Sequence, residues 1–266
     1  MSFTDWLFEA DGFVNPPIQG QWKFLHILTL VICIVAIFTF KFLASKSKNK
    51  EKIQKIIVYT LVSMILFFEV VSRIVYMVKL YYYHDPSMAG LDMVWILLPK
   101  PWCAVSCWAL MASVLVKKKF FYNYAALSAL LCAVIFFTYP GVGYNNQYIM
   151  FSNLYSIVTH ALLLTTSITL MIFKWTDFKY ENLWKVLLSF VITMVYALVE
   201  IYVLKIQNDP MYFMPHGDIQ EGILNIPWSI YIVLYTMLIV IYINAFYLTQ
   251  NKKKAKAYIQ NMELSI

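Results

Sequence analysis

Residues 94–116 read VWILLPKPWCAVSCWALMASVLV. The run is apolar for long enough to cross a bilayer, since about 20 residues at ~1.5 Å each span the roughly 30 Å of hydrocarbon. It nevertheless places Lys100 between Pro99 and Pro101 and follows them with Cys103 and Cys107, four residues apart. One such run could be the core helix of a water-soluble domain, but this one is repeated. Comparable stretches occupy 22–43, 56–79, 122–139, 151–173, 183–204 and 226–248. The chain is 61% hydrophobic and 13% charged, half the charge that a soluble domain uses to clothe its surface. Several runs carry β-branched and aromatic clusters that suit strands in water. In hydrocarbon a helix satisfies every backbone group within its own segment. The expected fold is all-α, a polytopic membrane bundle of seven transmembrane helices. Residues 1–21 form an extracytoplasmic segment, 22–248 the seven-helix domain and 249–266 a basic cytoplasmic tail.

The charges orient this bundle. Lys41, Lys46, Lys48, Lys50, Lys52, Lys55, Lys117, Lys118, Lys119, Lys174, Lys179, Lys185, Lys252, Lys253, Lys254 and Lys256 fall at one set of span ends, 16 of the 21 basic residues. Asp5, Glu9, Asp11, His84, Asp85, Asp92, Asp209, Asp218 and Glu221 fall at the other. The positive-inside rule then puts the N-terminus outside and the C-terminus in the cytoplasm, in a multi-pass protein of the cell membrane. The first 21 residues have no basic start, which argues against a cleavable signal. A net charge of +7 invites a nucleic-acid reading, but the lysines lie in short loops beside spans. Their expected partner is anionic lipid, with no nucleic acid and no protein partner assigned.

Orientation turns sequence position into depth. His26 lies near the outer end of the first span, Glu69 and Arg73 in the outer half of the second, and Lys100, Cys103 and Cys107 between the outer quarter and the middle of the third. Asn153 and His160 fall at comparable depths on the fifth, and Glu200 toward the outside on the sixth. The inner half reads as nearly pure hydrocarbon, with Asn244 the main exception. Polar groups inside spans are costly and normally face a bundle interior or cavity. Contributions from several helices at one depth therefore imply a shared, outward-opening site.

Cys103 stands out within it. The two prolines withhold backbone donors and open the helix, and a cysteine beside a cation is a setting for a nucleophilic sulfur. His160 is the natural base, able to take a thiol proton and return it to a leaving group. The plainer readings are a kink with a packed cysteine at 103, an i,i+4 ion pair at Glu69 and Arg73, a wet interfacial carboxylate at Glu200 and a carbonyl-bonded His26. Lys79 and Lys205 read as snorkelling cations, and Cys33 and Cys132 as packing residues. A metal site drawing on His26, His160 and His216 lacks HExxH or short paired-ligand spacing, so no metal or cofactor is expected. The stretches 139–148 and 209–218 are turn-rich candidates for a mouth or lid.

In the order of these motifs the chain resembles the YwaF-type family of bacterial integral membrane proteins, whose animal relatives include a membrane acyltransferase that remodels ether phospholipids. The resemblance covers about residues 20–250. It rests on His26, on the ExxxR of Glu69 and Arg73, on Leu98, Pro99 and Cys103, and on Asn153 with His160. Where the family has an LPLHLC-like string, this chain has LPKPWC. The resemblance implies acyl transfer from a phospholipid, with Cys103 and His160 as nucleophile and base. Lys100 or Asn153 is the expected oxyanion donor, while Glu69, Arg73, His26 and Glu200 shape the site. The expected function is thus a phospholipid acyltransferase or lipase in an outer-leaflet cavity. The alternative is a transporter or sensor of a lipid-like ligand without covalent chemistry.

Overall fold

The computed structural model describes residues 3–8, 23–82, 96–100, 102–138, 144, 147–205, 211, 215 and 224–263, with side chains to residue 251. Its helices are α1 (Phe3–Phe8), α2 (Phe24–Lys46), α3 (Lys50–Tyr81), α4 (Cys103–Val116), α5 (Lys119–Thr138), α6 (Phe151–Ile172), α7 (Leu183–Tyr202) and α8 (Trp228–Glu263). No strand occurs among the described residues.

Among the described residues six helices, α2, α3, α5, α6, α7 and α8, are long and apolar enough to cross a membrane. Seven were expected, and the difference lies in the stretch quoted first. Ile96 and Leu97 are helical, Leu98 to Lys100 are not, and α4 begins only at Cys103. Proline has no N–H to give, its ring crowds the preceding turn, and it biases the residue before it toward extended backbone. The hydropathy of 94–116 is that of a span, but the helix left after the break has 14 residues. At ~1.5 Å each it covers about 21 Å, short of the hydrocarbon thickness.

Packing follows side-chain size. On α5, Ala125, Ala126, Ala129 and Ala133 are fully buried. Small residues at this spacing let neighbouring backbones approach closely, and α5 and α6 form the centre of the bundle. By contrast α2 turns Val31, Val35, Phe38 and Phe42 outward, a surface fit for acyl chains.

The lysine-rich connections gather at one end. Lys119 Nζ donates to the carbonyls of Lys174 and Trp175 at 3.1 and 3.0 Å. The side-chain amide of Asn123 donates to Asp177 Oδ1 at 3.0 Å and to the Tyr247 hydroxyl at 3.2 Å, and its Oδ1 accepts from the Asp177 N–H at 3.0 Å. One buried asparagine thereby ties α5, the α6–α7 connection and α8 together. Lys117 and Lys174 adopt positive φ, 54° and 60°, just after α4 and α6, turning the chain sharply at this end.

Two expectations need correction here. The lysine-rich half of the bundle is not nearly pure hydrocarbon, because Asn123, Thr165, Thr166, Ser167 and Thr169 are buried in it. They were invisible to a hydropathy average because they face inward from otherwise apolar helices. Lys79 does not snorkel. It is buried and lines a small enclosed space with Leu7, Ser72, Tyr76 and Tyr155, although Lys205 is exposed. The segments 9–22, 83–95 and 206–210, with most of the two turn-rich loops, lie outside the described residues, as do His84 and His216.

Replacing Asn123 by Ala removes three hydrogen bonds from a buried position and should destabilise the fold by about 2–4 kcal/mol. The expected readouts are a lower thermal midpoint in detergent and faster tryptic cleavage after Lys174 and Lys179. An unchanged midpoint and unchanged cleavage would mean that this clasp contributes nothing.

Candidate functional site

Cys103 is the first residue of α4, and α6 presents His160 to it. The Cys103 Sγ lies 3.0 Å from His160 Nε2, and His160 Nδ1 lies 2.7 Å from the Ser156 carbonyl oxygen. A carbonyl can only accept, so Nδ1 carries the proton and donates it. The Nε2 lone pair is left facing the thiol, which donates to it. A backbone carbonyl thus orients the base in the way that a carboxylate does in a catalytic triad. The imidazole is also stacked on Phe136, with ring centroids 3.9 Å apart and planes 7° from parallel. Held on one edge and one face, the ring has little freedom to turn away.

A tryptophan–serine network fixes the cysteine from the other side. Trp102 Nε1 donates to Ser128 Oγ of α5 at 2.9 Å. Ser106 Oγ is 2.7 Å from Ser128 Oγ, donates to the Trp102 carbonyl at 3.0 Å and lies 3.3 Å from Cys132 Sγ. These groups are buried, and the Trp102 ring meets Phe190 of α7 edge-on. The first turn of α4 is therefore anchored to α5 and α7 by partners that water does not dilute.

Glu69 is the hub behind this pair. Its carboxylate is 1% exposed, accepts from Arg73 Nη1 at 2.5 Å through Oε2 and from the Tyr155 hydroxyl at 2.6 Å through Oε1. One carboxylate thus joins α3 and α6. Buried charge is tolerated only when paired and hydrogen-bonded, and this one is both. Tyr155 immediately precedes Ser156, so the hub also holds the backbone carbonyl on which His160 rests. Arg73 lies over the Trp108 ring at 5.5 Å.

The other expected residues divide. Lys100 stands over the Tyr76 ring at 5.5 Å and lies within electrostatic range of Glu200 of α7 and of Arg73. Glu200 is buried, not wet. Asn153 and His26 are placed differently. Asn153 Oδ1 accepts from the Met150 N–H at the start of α6, a capping contact. It precedes His160 by seven residues, about 10 Å along the helix. His26 packs against Phe137 and Tyr144, with centroids 5.8 and 4.8 Å away. It connects to His160 through rings, by way of Tyr144 and Phe136.

Several participants escaped the sequence reading, namely Trp102, Ser106, Ser128, Cys132 and Tyr155. The available signal was helical spacing: Ser106 lies three residues after Cys103, and Ser128 and Cys132 are i and i+4. Among the described residues no three His, Cys, Asp or Glu side chains are grouped to hold a metal ion.

The family model of the TMEM164 family matches residues 19–247, and the chain belongs to that family. The motifs pointed to the YwaF-type group, and the family identified is TMEM164. No curated protein and no solved structure matches the chain.

The geometry makes Cys103 the reactive thiol. With iodoacetamide in mild detergent, peptide mapping should find Cys103 carboxamidomethylated ahead of Cys33, Cys107 and Cys132. His160→Ala should slow that reaction by about 10²-fold, the usual scale for losing a positioned base. Equal rates in the two proteins would show that the imidazole does not activate the sulfur.

Proposed function

We propose that this TMEM164-family protein is a phospholipid acyltransferase or lipase of the cell membrane, with Cys103 as nucleophile and His160 as its base. The observation that carries the reading is the 3.0 Å contact between Cys103 Sγ and a His160 imidazole whose other nitrogen is held on a carbonyl. The lysine-rich loops lie on the cytoplasmic face and meet anionic lipid there, so the thiol, at the other end of α4, lies toward the outer leaflet.

His160 Nε2 takes the Cys103 proton as the sulfur attacks the ester carbonyl carbon of a bound phospholipid. The carbonyl π pair moves to oxygen and gives a tetrahedral oxyanion. Donors aimed at that oxygen lower the barrier, and the backbone N–H groups that open α4, together with Lys100, are the groups at hand. Collapse re-forms the carbonyl, breaks the C–O ester bond and expels the lysolipid oxygen, which takes the proton from His160. The acyl group is left as a thioester on Cys103. In the second half His160 removes the proton of an acceptor hydroxyl, which attacks the thioester carbon, and the sulfur leaves and is reprotonated. A lysolipid acceptor makes the protein a transferase, and water makes it a lipase.

The charged side chains of Arg73, Lys100 and Glu200 suit the polar end of an amphiphile, while the apolar outer faces of the helices suit its chains. His26 and Asn153 support the fold around this site.

Incubation with a defined phospholipid followed by intact-protein mass spectrometry tests the reading. The expected result is an acyl-sized adduct on the wild type, removed by hydroxylamine and absent from Cys103→Ala. Phospholipid that binds tightly and is recovered unchanged, with no adduct, would replace the enzyme by a lipid transporter or sensor.

A further inference from the structure

Two exposed threonines on these helices satisfy their own hydroxyls. Thr138 and Thr236 donate back to the Val134 and Ile232 carbonyls at 2.6 and 2.8 Å. Thr60 and Ser63 of α3 are also exposed, yet their hydroxyls have no hydrogen-bond partner among the described residues. A hydroxyl left unpaired against hydrocarbon is costly, so this face calls for a partner that carries acceptors. The two hydroxyls line a lipid-facing groove of about 650 Å³ on α3, walled by Ile56, Tyr59, Met64 and Phe67. Toward the lysine-rich end it runs into a second hollow of about 400 Å³, which shares Ile56 and Tyr59 and adds Asn49, Lys52 and Lys55. Glu51 also lines that hollow and pairs with Lys55 at 2.6 Å. With Lys50, three lysines stand against this one glutamate over the first turns of α3, and the balance is positive. Tyr59 meets Trp175 of the α6–α7 connection edge-on, with centroids 6.3 Å apart, an aromatic flank of the kind that sits at a membrane interface.

We propose that this groove holds one anionic phospholipid of the leaflet at the lysine-rich end. The phosphate rests on Lys52 and Lys55, the ester carbonyls accept from Thr60 and Ser63, and a chain runs along Met64 and Phe67. A phospholipid presents phosphate, esters and chains in the order in which α3 presents lysines, hydroxyls and apolar side chains. Thr60 and Ser63 lie about 8 and 12 Å beyond Lys55 along the helix axis. Room of several hundred Å³ is that of a ligand site, and the lysines select negative charge. A second copy of this chain suits the face less well. In one membrane orientation, pairing α3 with α3 brings two sets of lysines together. The lipid ties α3 to the α6–α7 connection as a resident of the fold, not a substrate, because Lys55 lies about 21 Å along the axis from Glu69 of the Cys103 site. The site does not require that acyl transfer occur.

The test is native mass spectrometry of the full chain, delipidated in detergent and titrated with dioleoyl phosphatidylglycerol or dioleoyl phosphatidylcholine. Cys103→Ala is measured beside the wild type, so that retention is read where no acyl adduct forms, and failure of this site and failure of the acyl-transfer reading are distinguishable. In both proteins one phosphatidylglycerol should be retained at least about tenfold better than phosphatidylcholine. The preference should disappear in Lys52→Gln/Lys55→Gln and persist in Lys118→Gln/Lys179→Gln, which removes equal charge from the same end. Ser63→Trp fills the groove from a lipid-exposed position and should lower phosphatidylglycerol retention by a similar factor. Equal retention of the two lipids by the wild type, or equal losses in the two lysine pairs, would overturn the site in favour of diffuse attraction. A wild-type dimer that Ser63→Trp dissociates would overturn it in favour of a second copy.

Discussion

The structure turns on a helix that starts late. Because α4 ends beside Lys117 at the lysine-rich end and has only 14 residues, its first residue stops short of the opposite end of the bundle by roughly a third of the hydrocarbon thickness. An open helix N-terminus is costly at that depth unless protein satisfies it. The Val105 and Ser106 N–H groups are taken by the Lys100 and Trp102 carbonyls, and Trp102, Ser106 and Ser128 fasten this first turn to α5. Cys103 reaches His160 because α4 begins there. A continuous helix over 94–116 would present the cysteine on a closed cylinder.

The contacts around this helix start then keep two side chains in register across α3, α4, α5 and α6. The His160 ring is held through Ser156, through Phe136 and, one residue further back, through Tyr155 and Glu69. Glu69 in turn is neutralised by Arg73 on its own helix. The ion pair contributes less as raw stability than as specification. Burying two charges gains little net energy, but removing one partner strands the other at a cost of about 3–5 kcal/mol. This arrangement therefore tolerates few alternative packings of α3, α4 and α6. Preorganisation of this kind is what a hydrogen-bonded thiol and imidazole need in order to act as nucleophile and base.

Much of this was legible from residue types and order. Composition and run length identify helices in a membrane, and the position of Lys100 between two prolines marks the place where one helix fails. The shared depth of Cys103 and His160 foretold a meeting that the structure contains. The errors share a cause. A hydropathy window averages over faces, so it counted a broken segment as a seventh span and overlooked Asn123 and the inward threonines. A depth ruler places a residue along a helix axis but not around it. It therefore grouped Asn153 and His26 with Cys103, although one caps α6 and the other stacks in an aromatic cluster. Tyr155, Ser128 and Cys132 carry no charge and sit in apolar runs, so only the packing of α4 against α5 and of α6 against α3 reveals them.

The central claim is that Cys103 and His160 form one reactive unit that moves an acyl chain. The most direct measurement follows a deuterated acyl chain from a phospholipid to an added lysophospholipid in nanodiscs, comparing wild type, Cys103→Ala, His160→Ala and the double variant. The account predicts transfer by the wild type and similar near-complete loss in all three variants, because residues that act as a unit are not additive. Undiminished transfer in Cys103→Ala, or separate losses that multiply in the double variant, would contradict it.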